Sequence, residues 1–127
     1  MQENQLFEYA VIRAVPRVER EEFINVGIVL FCKRLNFLQT RCQLDEKKLL
    51  CLDEKADVAQ LKQYLQAFDR IATGHADGGP IALLDTASRF RWLTATRSTI
   101  LQTSKVHPGL CSDPVRALEK LHADLVL

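Results

Sequence analysis

Apolar and polar positions divide the chain into short segments of two periods, one of two residues and one of three to four. Phe7 to Val15 (FEYAVIRAV) is rich in β-branched and aromatic residues and stops at Pro16, which cannot donate to a ladder, so a strand is predicted there. Arg17 to Glu22 is a dense mixed-charge connection. Phe23 to Cys32 (FINVGIVLFC) then runs apolar almost without a break, the mark of a central strand covered on both faces. The basic turn Lys33-Arg34-Leu35-Asn36 is too short for a crossover, so Phe37 to Leu44 is expected to return antiparallel. Within that return Leu38, Thr40, Cys42 and Leu44 take one face and Gln39, Arg41 and Gln43 the other, as in a half-exposed strand.

The period then lengthens. Asp45 is suited to cap a short helical turn through Leu50, because its carboxylate can accept from the free amides of the first turn. Asp57 is suited to do the same for a longer helix whose stripe is Val58, Leu61, Leu65, Phe68 and Ala72, with Gly74 as its stop. Gly74 to Pro80 is glycine-rich but lacks the spacing and following lysine of a phosphate loop, and reads as a connection. Ile81 to Trp92 is weakly helical, Thr99 to Thr103 forms a fourth strand, and Asp113-Pro114 opens a last helix with Val115, Leu118, Leu121 and Leu125 as its stripe. The expected fold is α+β: a small antiparallel sheet of three to four strands with helices packed on one face, in the order β-β-β-α-α-β-α.

Composition narrows this further. A chain of 127 residues with 47% apolar content fills one core, so residues 1–127 are read as a single domain. Seventeen basic residues against 16 acidic ones leave no long-range field, which argues against general nucleic-acid binding and against an anionic membrane surface. No apolar run approaches the roughly 18 residues that cross a bilayer, and Met1-Gln2-Glu3-Asn4-Gln5 lacks a secretory pattern, so a cytoplasmic protein is expected. The four cysteines, Cys32, Cys42, Cys51 and Cys111, form no C-x-x-C pair and read as buried free thiols in a reducing compartment; no metal or cofactor is expected.

Candidate chemistry lies where the sequence departs from its own pattern. Arg13 falls in line with Phe7, Tyr9, Val11 and Val15, so a guanidinium occupies an apolar face and needs either a carboxylate such as Glu21 or Glu22, or an anionic ligand. Asn25 and Gly27 share one face by the two-residue period and leave a dent, to be filled by a packed helix, a β-bulge or a ligand. Arg97-Ser98-Thr99, just after Trp92, offers adjacent guanidinium and hydroxyl groups suited to phosphate or carboxylate. Ser104 to Gly109 is a polar loop whose His107 can titrate near neutrality. No G-x-S-x-G elbow surrounds Ser98 or Ser104, so no serine triad is assigned. His75 and His122 read as surface residues, and no two carboxylates are placed for glycoside hydrolysis.

The segments Tyr9 to Arg17, Arg20 to Leu30, Phe90-Arg91-Trp92-Leu93, Arg97-Ser98, His107-Pro108-Gly109-Leu110 and Asp113-Pro114 together resemble the bacterial family catalogued as domain of unknown function 3037, over nearly the whole chain. The resemblance implies a small stand-alone bacterial protein with motif positions Arg13, Arg17, Glu21, Asn25, Gly27, Arg97, Ser98 and His107. It also suggests a protein partner, a HipA-like kinase-fold protein encoded beside relatives, which is association and not mechanism. Three roles follow. The first is a binding or accessory module in which Arg13, Arg17, Asn25, Gly27, Arg97, Ser98 and His107 surround an anionic ligand or a partner. The second is an enzyme acting on a phosphorylated or nucleotide substrate, with Arg13, Arg17 and Arg97 steadying charge and His107 exchanging a proton. The third is a structural subunit whose irregular residues form internal salt bridges. Unpaired sheet edges leave homo-oligomer formation open.

Overall fold

A computed structural model describes residues 4–127; Met1 to Glu3, part of the opening segment read above for targeting signals, lie outside the described residues. Three strands come first, β1 (Gln5–Ala14), β2 (Ile24–Cys32) and β3 (Phe37–Cys42), followed by the helices α1 (Glu46–Leu52), α2 (Val58–Thr73) and α3 (Thr86–Leu93). Two short strands, β4 (Leu101–Thr103) and β5 (His107–Cys111), lead into α4 (Pro114–Leu125). The expected α+β class holds, as does the order of elements apart from one added helix and one added strand. Asp45, Asp57 and Asp113 cap their helices by accepting from the amides of Lys48, Gln60 and Val115. Gly74 ends α2 at φ 72, a left-handed conformation that glycine adopts without Cβ strain.

All strand pairs are antiparallel. β2 and β3 form a hairpin through Lys33 to Asn36, with Asn36 left-handed at φ 49. The sheet runs β3-β2-β1, and β4 and β5 lie end to end along the outer side of β1. β5 was expected to be loop; its pairing with Gln5 to Tyr9 of β1 makes His107-Pro108-Gly109 a strand. Gly109 is required there, because a Cβ would come within 2.4 Å of the Phe7 ring.

Two one-residue breaks interrupt the ladder around β1. Ile12 faces Gly27 but Arg13 faces Asn25, so Val26 is an extra residue, a β-bulge in β2. Between Ile12 opposite Thr103 and Tyr9 opposite His107, β1 advances three residues and its outer neighbour four. Ser104 closes this second break: its amide donates to Val11 O at 2.8 Å, and its hydroxyl accepts from Val11 N at 2.8 Å where a strand carbonyl would sit.

The helices are divided between the two sheet faces, which corrects the expectation of one covered face. Ala10, Ile12, Ala14, Val29, Phe31 and Leu38 meet α2 and α3, while Phe7, Val11, Ile28, Leu30 and Cys32 meet α4. The apolar run of β2 requires this, since residues 26–32 are all buried and point to both sides. Other boundaries shift for local reasons. Ile81 to Trp92 is not one helix: a 3-10 turn covers Pro80–Leu83, and Asp85 caps α3 by accepting from Ser88 N at 2.7 Å. In α4 the buried residues are Leu118 and His122 instead of a Val115-to-Leu125 stripe, so His122 is a core residue and not a surface one.

Ser104→Ala leaves the buried Val11 amide without its acceptor. Its expected cost is about 1–3 kcal/mol, read as a lower midpoint in urea denaturation; an unchanged midpoint would show that the hydroxyl does not close the ladder.

Candidate functional site

The sequence-predicted residues do not gather at one place. Arg13 and Asn25 are directly opposed on β1 and β2 and share the α4 face. Arg13 has no carboxylate within ion-pair distance among the described residues; its guanidinium carbon lies 4.1 Å from the centroid of the Phe23 ring. Phe23 precedes β2 and is 44% exposed instead of starting the buried strand. Asn25 Nδ2 donates to Leu125 O at 2.9 Å, tying β2 to the end of α4. Arg13 Nε and Asn25 Oδ1, a donor and an acceptor, are both buried without a partner.

Gly27 lies on the other face. The Val26 bulge separates it from Asn25, so the two do not share a dent as the two-residue period predicts. The space beside Gly27 is filled by Cys42: a Cβ on Gly27 would lie 2.6 Å from the Cys42 sulfur and 2.9 Å from Arg41 O. Although Cys42 as a residue is exposed, its thiol is the part turned into this gap; burial there, reinforced by the Asp69 carboxylate, pushes its pKa up to about 12. Cys51 is also exposed, and only Cys32 and Cys111 are the buried free thiols expected of all four. Arg17 makes an exposed pair with Glu19 at 2.9 Å, which contributes little. His107 is exposed on β5 opposite Tyr9, four residues along β1 from Arg13, with ring centroids 5.5 Å apart. Ser98 is exposed in the loop before β4. The hydroxyl of Ser104 is committed to Val11 N and Lys105 O, so it has no free role as a nucleophile.

Arg97 marks a different place. Phe68 and Ile71 belong to the buried side of α2, Tyr64 lies on the same side one turn before Phe68 but is partly exposed, and Trp92 stands in the last turn of α3. Together with Leu101 and Thr99 they enclose an open, mainly apolar cavity of about 180 Å3, with Arg97 on its wall. The chain between α3 and β4 returns over Trp92, and the Arg97 guanidinium stacks on the indole at 4.1 Å and donates to Trp92 O. Thr99 Oγ1 donates to Leu101 O at 2.7 Å, and Ile100 O accepts from Val15 N at 2.7 Å, which fixes the loop to β1. Burial lowers the Arg97 pKa from its ordinary value, and no carboxylate pairs with it among the described residues. A guanidinium remains charged in such surroundings, so the cavity carries one uncompensated positive charge on an apolar wall. Since Leu101 joins the core cluster of α2 and α3, Arg97 and Arg13 lie on opposite faces of the sheet. Tyr64 was missed from the sequence; its spacing of three residues after Leu61 and four before Phe68, which puts it on the same helix face, was the available signal.

A second, polar cleft lies between β3, α1 and α2, and its charged groups already have partners. Thr40 donates to Asp69 at 2.7 Å, and Lys62 pairs with Glu46 at 2.7 Å. His122 is held below its ordinary pKa by burial and by the Arg41 guanidinium. Among the described residues no cluster of three or more His, Cys, Asp or Glu side chains is placed to hold a metal ion, and no helix is long and apolar enough to cross a membrane.

A family model described as Protein of unknown function (DUF3037) matches residues 9–126. No curated protein and no solved structure matches the chain.

The thiol chemistry is directly testable. At pH 8 a group with a pKa of about 12 is thiolate in only about one molecule in ten thousand. Iodoacetamide is therefore expected to label exposed Cys51 well before Cys42, as read by peptide mass mapping; equal or faster labelling of Cys42 would contradict its packing against Gly27.

Proposed function

The chain belongs to the family described as Protein of unknown function (DUF3037), and we propose that it is a binding module that takes an anionic group carried on an apolar body into the Trp92–Arg97 cavity. The observation that carries this reading is the unpaired Arg97 guanidinium held against an apolar wall. Apolar walls with a few placed polar groups are the usual make-up of ligand pockets. A cavity of about 180 Å3 is close to the size that accepts one benzene-like ring or a branched aliphatic side chain. Arg97, already in place through its stack on Trp92, would meet a carboxylate or phosphate at the rim with little further ordering. We extend the proposal to a protein partner presenting such a group, and the HipA-like kinase-fold protein suggested by the family resemblance is the candidate to test first.

The enzymatic reading lacks an observation of equal weight. It needs Arg13, Arg17 and Arg97 around one substrate, yet Arg13 and Arg97 face opposite sides of the sheet and Arg17 is paired with Glu19. It also needs a proton-exchanging His107 beside them, whereas His107 lies next to Tyr9 on the α4 face. The structural-subunit reading expected internal salt bridges at these residues, and neither Arg13 nor Arg97 makes one among the described residues.

Trp92 is the only tryptophan, so its fluorescence reports on the cavity alone. Phenyl phosphate is expected to change that emission saturably, while inorganic phosphate and neutral benzyl alcohol act only at much higher concentration. Arg97→Ala should weaken phenyl phosphate by about tenfold or more, the loss of one charge-assisted hydrogen bond, and Arg13→Ala should leave it unchanged. No saturable response, or equal loss in both variants, would rule the proposal out.

A further inference from the structure

The helix α2–α3 layer covers only part of its sheet face. At the other end of that face Leu6 of β1 is opposed by Leu110 of β5, and Glu8 is opposed by Phe31 on one side and Pro108 on the other. Leu6 is 63% exposed and Leu110 is 67% exposed, so two large aliphatic side chains stand side by side in water on a rigid strand pair. Neighbouring apolar exposure of this kind marks interaction surfaces more often than an isolated leucine does.

The charges around the two leucines are mixed. Glu8 lines a shallow groove together with Lys33 and Arg34 from the β2–β3 turn, beside Leu6. None of the three charged residues is exposed by accident of pairing elsewhere: none has an ion-pair partner among the described residues. The patch therefore carries an acidic group, a basic pair and an apolar centre, which is the composition of a surface complementary to itself. In a two-fold dimer each contact occurs twice, so Glu8 of one protomer can meet Lys33 and Arg34 of its partner while the second set closes reciprocally. Addition of a strand at the sheet edge is the less suitable mode here, because Pro108 in β5 has no amide hydrogen to give to an added strand.

We infer that this uncovered end of the sheet is the interface of a symmetric homodimer, with Leu6 and Leu110 packed across the two-fold axis and Glu8 paired with the partner's basic turn. The interface is separate from the Trp92–Arg97 cavity, so the dimer stands or falls independently of the binding proposal. It also leaves that cavity open in both protomers.

Sedimentation velocity on the full chain is the test. At about 100 µM, where a weak interface of modest area is populated, the wild type is expected to sediment at twice its 14.5 kDa monomer mass. Leu110→Asp, Glu8→Lys, and the double change Lys33→Glu with Arg34→Glu should each give monomer, with an unchanged circular-dichroism spectrum. Mixing the Glu8→Lys protein with the Lys33→Glu, Arg34→Glu protein should restore the dimer, since both reciprocal charge contacts are again favourable in the mixed pair. A variant that had merely unfolded would not be rescued by mixing. A monomeric wild type at this concentration, a dimer that persists in Leu110→Asp, or a mixture that stays monomeric would each overturn the inference.

Discussion

Antiparallel pairing around β1 decides which side chains can meet, because the pleat sends successive residues to opposite faces and any single inserted residue exchanges those faces. β1 is paired along both edges, to β2 on one side and to β4 and β5 on the other. Each pairing contains one inserted residue. The Val26 bulge turns Asn25 toward α4 and Gly27 toward α2, and the break at Ser104 lets one outer edge continue past an irregularity without leaving the Val11 amide unpaired. The positions of Asn25, Gly27 and His107 follow from these two breaks more than from the residues' own chemistry.

Local signals in the sequence were reliable where the physics is local. The carboxylate caps at Asp45, Asp57 and Asp113, the left-handed stop at Gly74 and the β2–β3 hairpin all depend on a few neighbouring residues, and all were legible. β5 was not, because a His-Pro-Gly segment becomes a strand only through its partner on β1 and through the Phe7 ring that occupies the space over Gly109. The placement of the helices was half legible. An apolar run buried on both sides implies a cover on each, but nothing in the spacing of α4 says which face it takes.

The candidate site was legible as a set of unusual residues and not as a place. Arg97 beside Trp92 was visible in the sequence, and the structure adds Tyr64, Phe68, Ile71 and Leu101 from elements far apart in the chain. Arg13 looked like a salt-bridge member and is instead stacked on Phe23, a residue read as the start of a buried strand. The glycine dent was real as a lack of side chain, but Cys42 of the neighbouring strand fills it, and the same packing silences the thiol. The Trp92–Arg97 cavity, by contrast, is an open and mainly apolar concavity with a guanidinium on its wall.

The most direct measurement is a titration of the 15N-labelled chain with phenyl phosphate, followed by amide chemical shifts. Saturable shifts confined to the surroundings of Tyr64, Phe68, Trp92, Arg97, Thr99 and Leu101 are predicted, with Arg13, Asn25 and His107 unmoved. Shifts centred on Arg13, Asn25 or His107, or none at all, would contradict the assignment of the site to the α2–α3 face.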